Sequence, residues 1–119
     1  MNKPALNLVV IRSKDLKVSR AFYEAIGLSF DEEQHHLGPI HLVEVLGEVV
    51  FEIYPWDGIT QDDTPRLGFQ VDSIINVIES LGESAKLIRA PGKVDGDTAP
   101  VTAVLEDPDG HKVDLTQRS

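Results

Sequence analysis

Apolar residues along this chain change period twice, in the same order. Ala5 to Ile11 is rich in β-branched and aliphatic residues and predicts a strand. Val18, Ala21, Phe22, Ala25 and Ile26 then recur at helical spacing, with Lys17, Arg20 and Glu24 on the outer face. Ser13 or Asp15 is the expected N-cap, and Gly27 the C-cap. Leu28-Ser29-Phe30 opens a second strand that runs into Asp31-Glu32-Glu33-Gln34-His35-His36 and turns at Gly38-Pro39. Ile40 to Leu46 and Glu48 to Trp56 read as two further strands, joined tightly at Gly47-Glu48.

After the polar connector Asp57–Pro65 the order repeats. Arg66 to Val71 is a strand. Asp72 or Ser73 caps a helix with Ile74, Val77, Ile78 and Leu81 on one face, ended by Gly82. Ala85 to Ala90 is a strand and residues 91–100 a loop. Val101 to Leu105 and Lys112 to Thr116 form a closing hairpin around Asp107-Pro108-Asp109-Gly110. In that turn proline presets φ, aspartate bonds back to nearby backbone and glycine takes positive φ. Each half is β-α-β-β-β, an internal repeat. The expected fold is α+β: one domain, 1–119, of two βαβββ modules, about 5–57 and 66–117, forming a curved mixed sheet around a cleft. Positions facing the helices should be apolar, and positions facing the cleft are free to carry chemistry.

Composition narrows this picture. The chain has 119 residues, of which 41% are hydrophobic and 26% charged, and a net charge of −9. Such a balance repels phosphate backbones and anionic membrane surfaces, so neither nucleic acid nor a membrane is an expected partner. No run approaches the ~18 apolar residues of a membrane span, and the opening Met1-Asn2-Lys3-Pro4 carries no signal-type apolar segment. The absence of cysteine excludes disulfides, thiol nucleophiles and cysteine-held clusters, and fits a cytoplasmic protein. No nucleophile elbow, phosphate-cradling loop or dinucleotide fingerprint appears.

Several stretches resemble the vicinal oxygen chelate superfamily, which includes glyoxalase I, extradiol dioxygenases and bleomycin resistance proteins. They are Ser13-Lys14-Asp15-Leu16, Ser19-Arg20-Ala21-Phe22-Tyr23-Glu24, Gly27-Leu28, Val49-Val50-Phe51-Glu52-Ile53 and Leu105 to Leu115. Enzymes of that family hold a divalent metal with four strand residues. The resemblance puts those positions at Leu8, Glu52, Arg66 and Asp114. Leu8 has no donor atom and Arg66 is a permanent cation, so two of the four depart from the pattern. The resulting expectation is a metal-free protein that binds a neutral or cationic, partly apolar small molecule, with no cofactor. Arg66 is expected to sit where a metal would, paired with Glu52 or Asp114. Glu52, Tyr54, Arg66, Asp114, His41 and His36 are the candidate ligand-binding residues. The alternative is a metal-dependent lyase or dioxygenase that uses Glu52 and Asp114 with His36 or His41.

Other residues divide between roles. Tyr54 and Trp56 share the face of Glu52 and fit a ligand wall, a core or a dimer contact equally well. Glu44 reads as a solvated charge, Arg12 as a surface residue on the Leu8 side, and His111 as an exposed residue after the turn. Chains of this length in the resembling family pair, which implies a homodimer with its cleft at or across the interface.

Overall fold

The computed structural model describes residues 3–59 and 65–119; connector residues 60–64 and the first two residues lie outside it. The first half runs β1 (Leu8–Ser13), α1 (Leu16–Ile26), β2 (Asp31–Glu33), β3 (His41–Leu46) and β4 (Val49–Pro55). The second runs β5 (Leu67–Val71), α2 (Ile74–Leu81), β6 (Leu87–Gly92), β7 (Thr102–Glu106) and β8 (Lys112–Gln117). The sheets have orders β1-β4-β3-β2 and β5-β8-β7-β6, one per half, so the repeat is exact in topology. In each, the first strand lies parallel to the last while the other pairs are antiparallel.

Strands β1 and β4 alternate between two faces. Ile11, Phe51 and Ile53 turn towards the helices and are buried. Their neighbours Val10, Arg12, Glu52 and Tyr54 therefore turn to the opposite face. One aromatic cluster joins the halves: Tyr23 meets Phe51 at 5.4 Å and Phe69 at 6.1 Å between ring centroids. Helix α1 is capped by Asp15, whose carboxylate accepts from the amides of Lys17 and Val18, and α2 by Ser73.

The buried stripe of α1 differs from the one the periodicity predicts. Phe22 and Ile26 are buried as expected, but Ser19 and Tyr23 join them while Val18 is 48% exposed and Ala21 lies outside. Polar atoms explain the rotation. Ser19 Oγ donates to Asp109 Oδ2 (3.0 Å) and lies 2.6 Å from Ser13 Oγ, while the Tyr23 hydroxyl donates to Asp107 Oδ2 at 2.6 Å. With partners waiting in the other half, these groups can leave water at little cost.

The closing turn departs from expectation in one respect. Asp107 bonds back to the amides of Asp109 and His111, as anticipated, but His111 is buried rather than exposed. Its Nδ1 sits 2.6 Å from Asp107 Oδ2, so the turn folds the ring inward onto a carboxylate that Tyr23 also holds. Strand β6 also runs further than predicted, through Pro91 and Gly92. It is an edge strand with two register irregularities, where a proline costs no ladder bond.

Helices α1 and α2 pack together, leaving the sheet faces opposite them uncovered by the other described elements. The result is a slab of 52 × 47 × 26 Å with a radius of gyration of 15.4 Å. A compact chain of this length would have about 13.5 Å.

Candidate functional site on the open face of the first sheet

Register builds this face in three rows. Arg12 aligns with Tyr54, Tyr54 stacks on His41, and His41 pairs across the strands with Glu33. The next row is Val10, Glu52, Val43 and Asp31, each aligned with its neighbour. The third is Leu8, Val50 and Val45. The face thus grades from a charged and aromatic end to an aliphatic one. Leu8 is 49% and Val45 61% exposed, so nothing among the described residues covers the aliphatic end.

His41 organises the polar end. It is 1% exposed and its ring lies parallel to Tyr54 at 4.0 Å. Its Nε2 is 3.3 Å from Glu33 Oε1 and 3.4 Å from Glu52 Oε2, and its Nδ1 is 3.2 Å from the Pro39 carbonyl. His35 Nε2 also reaches Glu33 Oε1, at 2.6 Å. Desolvation raises the Tyr54 phenol above its usual range, helped by the charges of Glu52 and Glu33 and opposed by Arg12. The Arg12 guanidinium lies 6.0 Å from the Tyr54 ring centre.

Asp114 sits on the corresponding face of the second sheet, aligned with Gly68 and Val104. Of the two acids expected to attract Arg66, it is Asp114 that does. Nε of Arg66 donates to both carboxylate oxygens at 3.0 and 3.2 Å, and Nη2 reaches Oδ1 at 2.8 Å. This is the planar fork of a bidentate pair, with both partners substantially exposed.

These contacts test the four positions at which the resembling family binds metal. Leu8 offers no ligand atom, and both Asp114 oxygens accept from a guanidinium. Glu52 is the one carboxylate of the four that faces no permanent cation of the set. The donor set does not fit that metal centre.

Among the remaining candidates, His36 does not join the cluster. It occupies a turn at φ 52° and is exposed, while the next residue back, His35, folds over His41 with ring centres 5.2 Å apart. Glu33 and His35 join this cluster although neither is among the candidates read from the sequence. Their signal was the alternation of Asp31, Glu33 and His35, which keeps all three on one side. Trp56 is 44% exposed beyond Tyr54, with Lys14 Nζ 5.2 Å from its ring centre. Glu44 is less solvated than its side of the strand suggested, since it accepts from the Ser29 amide at 2.7 Å. Cavities of about 470 and 340 Å³ lie elsewhere, in the groove where Leu46 and Phe69 of the two halves approach.

The tandem modules and their strand order are those of the glyoxalase/bleomycin resistance/dioxygenase fold, and the chain has the fold of the vicinal oxygen chelate superfamily. Solved structures similar to it include a glyoxalase/bleomycin resistance protein/dioxygenase family enzyme from Burkholderia phytofirmans PsJN, at 21% identity and a TM-score of 0.68 over 96% of this chain and 98% of that one. TnmS3, an antibiotic binding protein from Streptomyces sp. CB03234, is 18% identical with a TM-score of 0.71, covering 100% and 99%. A glyoxalase I variant from Zea mays is 21% identical with a TM-score of 0.75, and there 96% of this chain spans 45% of the other. No protein-family model matches the sequence, and no curated protein does.

Proposed function

We propose that this chain is a small-molecule-binding protein of the glyoxalase/bleomycin-resistance type, and that its ligand lies on the open face of the first sheet. The observation that carries this reading is the graded surface itself. An uncovered aliphatic row (Leu8, Val50, Val45) adjoins a row with one half-buried carboxylate, Glu52, and then the stacked pair Tyr54–His41. Ligand sites characteristically combine an apolar wall with a few fixed polar groups. Asp31, Glu33 and Glu52 outnumber Arg12 on this face, so a neutral or cationic, partly apolar molecule suits it better than an anion. The antibiotic-binding neighbour is consistent with such a role. Of the four family metal positions, Leu8 and Glu52 line the ligand in this reading and Arg66–Asp114 forms a polar rim on the second sheet, with no metal held among them. A second copy of the chain closes the cleft in this reading.

Trp56 is the chain's one tryptophan and stands at the end of this face, so its fluorescence reports occupancy directly. Titration with aromatic ammonium compounds should change the emission saturably, while matched aromatic carboxylates should not. Glu52→Gln should weaken the cation by roughly 10–150-fold, in line with the ~1.5–3 kcal/mol of a hydrogen bond to a charged group. Equal binding of both series, or none by either, would remove this reading.

A further inference from the structure

We propose that Glu33, His35 and His41 form a binding site for a divalent transition metal, with zinc the best match. This site is distinct from the four family positions and shares no ligand with them; Glu52 lies beside it. It does not depend on which organic molecule the face takes.

The argument starts with the hydrogen on His41. The Pro39 carbonyl can only accept, so the 3.2 Å contact requires the proton on Nδ1. Nε2 then bears a lone pair. Yet Nε2 faces carboxylate oxygens of Glu33 and Glu52 at 3.3 and 3.4 Å, which also only accept. Moving the proton to Nε2 repairs that side and leaves Nδ1 facing the carbonyl, lone pair to lone pair. Neither neutral tautomer satisfies a ring that is 1% exposed. A cation between Nε2 and the Glu33 carboxylate resolves the conflict.

The distances favour a metal as that cation. Four ligands at zinc bond lengths of about 2.0–2.1 Å stand roughly 3.3–3.4 Å apart along a tetrahedron's edge. The His41–Glu33 separation has this length and is long for a charge-assisted hydrogen bond. Ligand atoms of Glu33, His35 and His41 all lie within 4.8 Å of one another. His35 is in hydrogen-bond contact with Glu33, and its side chain is 64% exposed, so its ring has room to back away and admit an ion. The Nδ1–H of His41 bonded to a backbone carbonyl is the outer-shell arrangement that orients metal-bound imidazoles. Two imidazole nitrogens and a carboxylate oxygen, with a fourth position left for water, suit zinc, and nickel and cobalt are served by the same donors.

Chain stripped of metal by chelation and dialysis is titrated with zinc alone, read by calorimetry, and with cobalt, read by visible absorption. The expected result is one equivalent of zinc, the intense d–d bands of four-coordinate cobalt, and affinity that falls as pH is lowered, because the ligands must shed protons. His35→Ala and Glu33→Gln, both at exposed positions, should each weaken binding by at least the ~10–100-fold that even an outer-shell partner is worth. His36→Asn, which keeps the turn and lies outside the cluster, should bind as the parent does. Overturning results are no stoichiometric zinc, zinc binding indifferent to both variants, or nitrogen NMR of the zinc-treated protein showing both His41 ring nitrogens protonated. The zinc titration uses no organic ligand, so its failure leaves the fluorescence test of the small-molecule reading intact.

Discussion

The carboxylate of Asp107 is buried where the β7–β8 turn meets α1. It is 3% exposed and accepts from the Tyr23 hydroxyl, the His111 ring and two amides of its own turn. Burial alone would raise its pKa, but the hydrogen bonds from His111 and Tyr23 outweigh burial and hold it below the ordinary carboxylate range. The sign of the pH effect follows. A carboxylate depressed in the folded state contributes stability above the unfolded value of about 4, and that stability is lost as pH falls through the folded value. Tyr23 is shifted upward, first by burial and then by the charge of Asp107. Its contribution is complete below about pH 10 and drains away above it, where the unfolded phenol ionises first. Tyr23→Phe should therefore lower stability at neutral pH by roughly 1–3 kcal/mol, the cost of disturbing a buried bond to a charge. It should also flatten the alkaline loss, as thermal melts across pH would record. An unchanged alkaline limb would show that Tyr23 does not govern it.

At the level of elements, the caps, glycines and periods of the sequence were enough to place all eight strands and both helices, because each is a local signal. What local signals could not supply was the partner across space. The stripe of α1 was misjudged by part of a turn since Ser19 and Tyr23 look polar until Asp109 and Asp107 of the other half arrive. His111 looked solvent-facing for the same reason. On the site, alternation put Glu52 and Tyr54 on one side correctly, and the Arg66–Asp114 pair was legible from the repeat. Glu33 and His35 were not, because their meeting with His41 depends on the register of the β2–β3 hairpin and the fold of a turn. The β7–β8 turn offers a direct check on local conformation. Gly110 has φ 93°, and a Cβ there would stand 3.5 Å from Glu106 Oε1. The space is ordinary, so the cost of Gly110→Ala is backbone strain, about 1–2 kcal/mol. Chemical denaturation should show that loss with an unchanged slope; a neutral substitution would mean the turn relaxes.

The whole molecule is a slab wider than a chain of its length needs, with an aliphatic row left open on the first sheet. A second copy laid on that face would cover Leu8, Val10 and Val45 and turn an open sheet into a cleft. Light scattering after size exclusion should give twice the chain mass of 13.1 kDa at micromolar concentration. Val45→Lys, at the exposed end of the aliphatic row, should return the mass to that of one chain while leaving the melting temperature within a few degrees. A monomeric parent protein would count against the paired cleft.

The contacts of Asp107 and Asp109 with α1 run in one direction only: the second half's turn reaches for the first half's helix. The matching turn of the first half, Gly47-Glu48, has no aspartates and is two residues long. Two copies of the first half joined end to end would thus reproduce the strands and helices yet lack the clasp that fastens one half to the other. The halves share an architecture but are not interchangeable, and simple duplication cannot have been the last step in making this chain.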